Sequence, residues 1–414
     1  MAKPYTISGI DIGNSQVKVV IAKINSDGLR PEIIGSGTAV SNGLRKGVVV
    51  DMEETIQNVR SATQRAEAMA GISIRKAYLA VNGVHIHTQS SRGVIAVSRP
   101  DNEISQSDID RVIKAASVVS LPPNREIIHV IPKNFIVDGT EYVKNPLGMK
   151  GVRLEADVII IDGLSPYLRN VAKCVNENNI EVAGLVYAPL ASALSVLDKN
   201  QKEYGVVNID FGGGTSSVAV YEEADLLHSV ILPIGSRHIT NDLAVLLRTS
   251  IDVAERIKLE YGSTSNVEDL RKKDQIDLSE LIGEDNFVVS KKQLVKVIDA
   301  RVHELFDIVN NELKKVSKTG LLPAGVVLSG GGVNLPGIVQ LAKEKLRLPV
   351  RIAKPVHFEG ISEIVDDPAS SVAMGAVLWG MENETGSYGS RSSGSSGGDE
   401  SFKKLVDWFK NFLP

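Results

Sequence analysis

Apolar residues alternate with strand spacing in two blocks of the chain that share one layout. Tyr5 to Ile24 holds two β-rich runs joined through Gly13-Asn14-Ser15-Gln16, and Gly205 to Tyr221 holds two more joined through Gly212-Gly213-Gly214. In both, the first run ends in Asp-apolar-Gly, as Asp11-Ile12-Gly13 and Asp210-Phe211-Gly212. Such runs broken by glycine turns predict β-hairpins, and the shared layout predicts two halves built on one plan. Elsewhere strand-like and helix-like stretches alternate, which is the pattern of an α/β protein.

The stretch from Gly83 to Gly163 reads strand, strand, helix, strand, strand: VHIHTQ, GVIAVS, SDIDRVIKAASVV, EIIHVIPKNFIV and LEADVIIID. Ser105 with Asp108 three residues on predicts a capping box at the start of that helix. This is the expected signature of a small α+β subdomain inserted between the halves. A second stretch, about Gly235 to Ser317, is mainly helical in pattern and rich in Lys, Arg and Glu. Thr385 to Glu400 is almost wholly Gly, Ser and charge and reads as a flexible linker with a mean reach of roughly 20–25 Å. Beyond it, Ser401 to Pro414 places Phe402, Leu405, Val406, Phe409, Phe412 and Leu413 at helical spacing, flanked by Trp408. Lys403, Lys404 and Lys410 lie off that stripe. An apolar aromatic face bordered by lysines predicts an amphipathic helix that lies in an anionic membrane surface, and one copy of so short a helix binds weakly.

Composition narrows the function. At 414 residues the chain exceeds what one core usually organises, so several globular units are expected. A net charge of −4 supplies no basic field for nucleic acid. The one cysteine, Cys174, lies in an apparent helix from Tyr167 to Asn178 and has no second thiol, which excludes a disulfide framework or a cysteine zinc site and fits a reducing compartment. Residues 1–25 lack the basic start and apolar run of a signal peptide, and no run of about 18 apolar residues can span a bilayer. Any membrane contact is therefore expected to be peripheral.

A nucleoside triphosphate bound with magnesium needs close main-chain donors, carboxylates for a hydrated metal, and a wall for the base. Glycine turns let N–H groups approach phosphate oxygens, so Gly13, Asn14 and Ser15 form one candidate clamp and Gly212, Gly213, Gly214 and Thr215 the other. Mg2+ keeps several waters and takes few carboxylates, which makes Asp11 and Asp210 its candidate holders through water. Lys18 can reach back toward the phosphates. The run Val326-Val327-Leu328-Ser329 enters Gly330, Gly331 and Gly332 ahead of a helix, where backbone can lie against the nucleoside. No GxxxxGK[ST] loop occurs, and no GxSxG motif.

With these motifs in hand, the chain resembles the superfamily of actin, heat-shock chaperone ATPases and sugar kinases. IDIGNSQVK, NIDFGGGTSSVAV and VVLSGGGVNLPG match its two phosphate motifs and its adenosine motif. Tyr187-Ala188-Pro189-Leu190-Ala191-Ser192 and Ala373-Met374-Gly375-Ala376 look like its two connecting helices. Within it the chain is similar to the bacterial cell-division family FtsA over nearly its whole length. That match includes Asn145-Pro146-Leu147-Gly148-Met149, Gly235-Ser236-Arg237-His238-Ile239-Thr240-Asn241-Asp242, Ala254-Glu255-Arg256-Ile257-Lys258, the linker and the tail.

The resemblance implies a two-lobed actin-like (ribonuclease H-like) α/β fold. Residues 1–82, 164–202 and 356–384 would form the first lobe, with an inserted interaction subdomain at 83–163. Residues 203–234 and 318–355 would form the second lobe, with a helical subdomain at 235–317, then a linker at 385–400 and a membrane helix at 401–414. It implies ATP and Mg2+ as ligands, with Glu255 and Lys258 at adenine and ribose. It also implies head-to-tail self-assembly, recruitment of later division proteins through the insert, and capture of the C-terminal peptide of the tubulin-like protein FtsZ. Arg301 occupies a position that contacts that peptide in the family; a neighbouring contact position that can be Lys is Gln293 here, which leaves the strength of that contact to be measured. Members that hydrolyse ATP efficiently carry Glu, Gln or Asp at the start of the first connecting helix to orient water, and around Tyr187-Ala188-Pro189 there is none, so slow or negligible hydrolysis is expected. The place implied is the cytoplasmic face of the membrane at midcell.

Rival readings are a small-molecule kinase of the same fold, a pilus-assembly actin homologue and a chaperone ATPase. The first lacks a carboxylate outside the metal pair, the second would not be expected to carry the tail helix, and the third needs a peptide-binding domain after Glu384. His85 and His87 share a strand face but lack further ligands, and Asp366-Asp367-Pro368 reads as a helix start.

Overall fold

The computed structural model describes residues 4–25, 30–264, 274–283, 287–316, 318 and 320–388. Two sheets dominate, and they repeat one strand plan. In the first, the meander Tyr5–Ile12, Gln16–Ile24, Glu32–Val40 continues from its first strand into Lys76–Val81 and Glu181–Tyr187, both parallel. Glu359–Gly360 closes the other edge. In the second, the meander Val206–Phe211, Ser216–Glu222, Asp225–Leu232 continues likewise into Val326–Ser329 and Val350–Ile352. Parallel strands need crossovers that cover the sheet with helices, so the central strands are buried on both faces; every residue of Val206–Phe211 is buried.

Two helices pass between the lobes. Ala188–Val196 is apolar nearly all round and all but one of its residues are buried, as expected of a helix enclosed by protein. Ser371–Tyr388 crosses it backbone to backbone at Gly375, where a Cβ would lie 1.8 Å from the Ala191 carbonyl oxygen. Only glycine allows that approach. The second helix runs through Tyr388, so Thr385 to Tyr388 continue as helix where linker was expected. An existing helix extends without a new nucleation cost, and local composition gives way to that. The rest of the linker and the whole Ser401–Pro414 segment lie outside the described residues.

The insert is a four-stranded sheet with its own core around Phe135, Leu154 and Val158, covered by the helix Gln106–Ser117. The capping box is formed: Ser105 N–H donates to Asp108 Oδ2 at 3.0 Å, and Asp108 N–H to Ser105 Oγ. Two strands expected as separate, VHIHTQ and GVIAVS, are one ten-residue strand, His87–Ala96. Gly93 within it does not turn the chain. A Cβ there would meet Val112 O and Ala116 N at 2.4 Å, so the glycine admits the covering helix. The second-lobe subdomain is helical as read, built from Ser236–Leu247, Ile251–Tyr261 and Lys291–Lys315, with a small ribbon of Gln275–Asp277 and Val288–Ser290 added.

Buried histidines fasten the insert to the first lobe. His129 Nε2 accepts from Tyr187 N–H at 3.0 Å and its ring packs on Trp379. Burial pushes its pKa down to about 3, so the ring is neutral and acts as an acceptor. A histidine lowered in the folded state contributes stability that is full above its unfolded pKa near 6.5 and is lost as pH falls toward 3. Thermal melting midpoints measured from pH 7.5 down to 4 are therefore expected to fall less steeply for His129→Gln, which keeps an acceptor without a titrating ring, than for the wild type.

Candidate actin-like nucleotide cleft

The hairpins close with the same bond: Gly13 N–H donates to Gln16 O at 3.0 Å, and Gly212 N–H to Thr215 O at 3.1 Å. The two turns then abut each other across the lobes. A Cβ on Gly213 would lie 2.0 Å from Ser15 Oγ, and one on Gly214 would lie 2.6 Å from Asn14 Cγ. Glycine is required here because the opposite turn fills the space a side chain would take. The main-chain N–H groups of Asn14, Ser15, Gly213 and Gly214 are not taken up by another described residue, which leaves a concavity of donors suited to an anion.

Neighbouring elements lock the turns. Ser236 and Arg237 N–H groups donate to Gly212 O and Gly213 O at 2.9 and 2.8 Å, and Arg237 Nη1 reaches Asn14 O at 2.7 Å. Asn82 Nδ2 donates to Thr215 Oγ1 at 3.1 Å. Beside the turns opens a cavity of about 610 Å³ whose lining includes Arg45, Lys46, Arg237 and His238 and no carboxylate. Its size is that of a ligand site, and its charge favours an anion.

Asp11 and Asp210 end the first strands of the two hairpins. Burial pushes the Asp11 carboxyl up to about 7, against the pull of Lys18 and with the added repulsion of Asp210. Asp210 is raised as well, by burial, against hydrogen bonds from Ser371, Ser329 and Ser192 and the charge of Lys18. Lys18 sits opposite Asp11 in the strand register; burial lowers it while Asp367, Asp11 and Asp210 raise it, and its Nζ donates to Ala369 O. Asp210 is buried and Asp11 half-buried, and two carboxylates that repel each other fit a divalent cation. Among the described residues no cluster of three or more His, Cys, Asp or Glu forms a metal cage, so the pair suits a cation that keeps its water, as Mg2+ does.

The residues expected at the nucleoside lie on a different wall from the basic cavity. Glu255 and Lys258 pair at 2.7 Å on the helix Ile251–Tyr261, and Lys258 also donates to Thr240 Oγ1 at 3.0 Å. Just past that helix, Thr264 N–H donates to Pro336 O at 2.7 Å, which sets the helix end beside the turn of Gly330, Gly331 and Gly332. Gly330 has φ 86° and donates to Pro368 O at 2.9 Å, while Gly331 is exposed and Gly332 lies on the Phe211 ring. Glu255 and Lys258 do not line the basic cavity.

Arg301 stands apart on Lys291–Lys315. Its guanidinium grips Asp242 with two bonds of 2.8 and 3.0 Å and also pairs with Glu304, while Gln293 is exposed on the same helix. His85 accepts from Leu164 N–H at 3.3 Å and packs edge-on to Tyr167, which makes it structural. Asp367 caps the short turn Pro368–Ser370 that leads into the second connecting helix. The residues that sequence reasoning passed over are Asn82, Arg237, Ser192, Ser329 and Ser371. Arg237, Ser192 and Ser329 lie inside motifs already singled out, whereas nothing local marks Asn82 and Ser371.

Duplicated sheets, facing turns and crossing helices define an actin-like protein. Solved structures agree on the fold: the type IV pilus biogenesis complex PilM–PilN superposes with TM-score 0.66 at 16% identity, over 91% of this chain and 98% of that one. MreB5 of Spiroplasma citri bound to ADP gives 0.54 at 15% identity, over 92% and 98%. The family described as cell division protein FtsA matches residues 207–375, and the SHS2 domain inserted in FtsA matches residues 83–162. The chain is 35% identical to the cell division protein FtsA of Pseudomonas aeruginosa over 98% of its own length and 97% of that protein's. It is 38% identical to that of Bacillus subtilis over 90% and 83%. The chain belongs to the FtsA family.

The contact of the turns sets a direct expectation. Gly213→Val drives a side chain into Ser15 and is expected to cost at least about 1–3 kcal/mol. Gly331→Ala, whose Cβ meets nothing nearer than 3.6 Å, is expected to stay within about 0.5 kcal/mol. Urea midpoints at constant m measure both.

Proposed function

We propose that the chain binds ATP with Mg2+ between the two turns and acts as an assembling membrane scaffold of cell division. The observation that carries the nucleotide reading is the meeting of two glycine turns from separate lobes, each backed by an aspartate, Asp210 buried and Asp11 half-buried. Within the turns Gly13 to Ser15 and Gly212 to Thr215, the main-chain N–H groups of Asn14, Ser15, Gly213 and Gly214 then supply donors to the phosphates, with Lys18 as their cation. Asp11 and Asp210 hold the metal through its water, and the metal would neutralise phosphate charge there. Glu255, Lys258 and Gly330 to Gly332 form the nucleoside wall. The ADP of the MreB5 structure supports this reading by fold likeness alone.

Hydrolysis in this reading is slow. The first turn of Ala188–Val196 carries no acidic residue and has proline at its start, and the Tyr187 hydroxyl accepts from Ser229 inside the core. No side chain on that helix is placed to orient an attacking water. Nucleotide would then act as a control on conformation and self-assembly.

The remaining parts follow from family membership and the tail's sequence. The 401–414 segment holds the chain on the inner face of the cytoplasmic membrane at midcell, and self-assembly multiplies weak tails into firm attachment. Arg301 and its helix offer the surface for the FtsZ C-terminal peptide, and the insert at 83–163 the surface for later division proteins. Among the described residues no helix is long and apolar enough to cross a membrane.

Binding of a fluorescent ATP analogue to the full chain, read by anisotropy with Mg2+, is expected to weaken at least about tenfold in Asp210→Asn, as loss of a metal-supporting group does. Single-turnover phosphate release is expected well below about 1 s⁻¹, the bottom of the usual enzyme range; a faster rate would remove the slow-hydrolysis reading. Co-sedimentation with anionic vesicles in ATP should lose the chain when it ends at Glu400, and retained binding by the shortened form would overturn the tail model.

A further inference from the structure

Asp210 is bound on one side only. Its Oδ2 accepts three hydroxyls, from Ser371 at 2.9 Å, Ser329 at 3.2 Å and Ser192 at 3.4 Å. Its Oδ1 lies toward the turn, 3.9 Å from where a Gly212 Cβ would sit, just as Asp11 Oδ2 lies 3.9 Å from a Cβ on Gly13. One oxygen is thus held by serines while the other faces the place the two lobes share.

The serines come from separate elements. Ser192 is on the first connecting helix, Ser371 opens the second, and Ser329 ends the strand beside Asp210; all three are fully buried. Asn208 Nδ2 donates to Ser192 Oγ at 2.9 Å, which fixes that hydroxyl, and Ser195 Oγ donates to the backbone carbonyl of Ser371 at 2.7 Å, which ties the two helices together. One turn beyond Ser371, Gly375 presses on the carbonyl of Ala191, the neighbour of Ser192. A single carboxylate oxygen therefore receives both helices at their crossing.

We infer that Ser192 and Ser371 are positioning residues that aim Asp210 at the hydrated cation and tie cation loading to the angle between the lobes. The inference rests on the Mg2+-ATP reading above. A cation drawing charge toward Oδ1 weakens what Oδ2 offers the serines, and any shift of the carboxylate reaches both crossing helices at once. Ser329 belongs to the same sheet as Asp210 and its hydroxyl also lies 2.9 Å from Ser192 Oγ, so it supports the carboxylate and the first connecting helix but does not reach the second.

The test uses the full chain with ATP, titrating Mg2+ and reading nucleotide anisotropy, alongside a spin-label distance between Met69→Cys on the first lobe and Val245→Cys on the second. Both positions are exposed, at 54% and 79%, and Cys174 is buried. In the otherwise unaltered labelled chain, Mg2+ with ATP is expected to shift the distance distribution. Ser192→Ala and Ser371→Ala are expected to raise the half-saturating Mg2+ roughly tenfold, as loss of a supporting hydrogen bond behind a metal site does, and to abolish the shift. Ser329→Ala leaves the direct bonds of Ser192 and Ser371 to Asp210 in place and is expected to raise the Mg2+ requirement while keeping the larger part of the shift, a separation that general destabilisation would not produce. If Ser371→Ala fails to fold by circular dichroism, Ser192→Ala decides the matter on the same readouts. An unchanged Mg2+ requirement and an intact shift in the folded serine variants overturn the inference and leave nucleotide binding standing. Absence of ATP binding by the wild type overturns the nucleotide reading, and this inference with it.

Discussion

Two carboxylates within each other's field, Asp210 buried and Asp11 half-buried, are the constraint around which the molecule is arranged. Left alone, the pair costs free energy, and burial raises both pKa values to show it. The fold tolerates the pair because compensation arrives from every side. Lys18 answers Asp11 from the neighbouring strand, and hydroxyls from Ser192, Ser329 and Ser371 answer Asp210. A structure that keeps such a pair at the meeting of its two lobes has given up stability where a ligand can return it.

The duplicated sheets put the carboxylates there, yet the copies are not equivalent. Each meander ends its first strand in aspartate and turns on glycine, which brings like charges to like places. The first copy neutralises its aspartate with a cation on the hairpin itself. The second has Ser217 opposite Asp210, where the first has Lys18 opposite Asp11, and so depends on groups delivered from elsewhere. Those groups sit on the helices that join the lobes. The asymmetry makes the second aspartate the one that senses how the lobes are joined.

Much of this was legible in the chain. Hairpins, glycine turns and the capping box at Ser105 follow from local pattern, because their causes lie within a few residues. VHIHTQ and GVIAVS read as two strands where one runs through Gly93, because glycine in a strand marks either a break or a close approach, and only the packed helix decides between them. Ser371 lies 161 residues from Asp210, and Asp242 lies 59 from Arg301. No periodicity carries information over such gaps. Thr385 to Tyr388 look like linker in composition yet extend a helix begun in the core, since propagation is set by what precedes a segment as well as by its own residues.

The insert is joined to both lobes, and the energetics of its contacts decide which one it follows. To the first lobe it is tied by covalent continuity, by the bond from Leu164 N–H to His85, and by the bond from Tyr187 N–H to His129. To the second lobe it offers Thr88 Oγ1 to Ser229 O at 2.9 Å and Lys144 to Asp225. Asp225 remains raised by burial despite the bond and charge of Lys144, so desolvation outweighs what the lysine returns. A pair in that balance is a weak link, and a single neutral hydrogen bond adds only about 1 kcal/mol. A rotation of the lobes about the Gly375 crossing would therefore part the insert from the second lobe before it parted it from the first, leaving the insert with the first lobe and the Arg301 helix with the second.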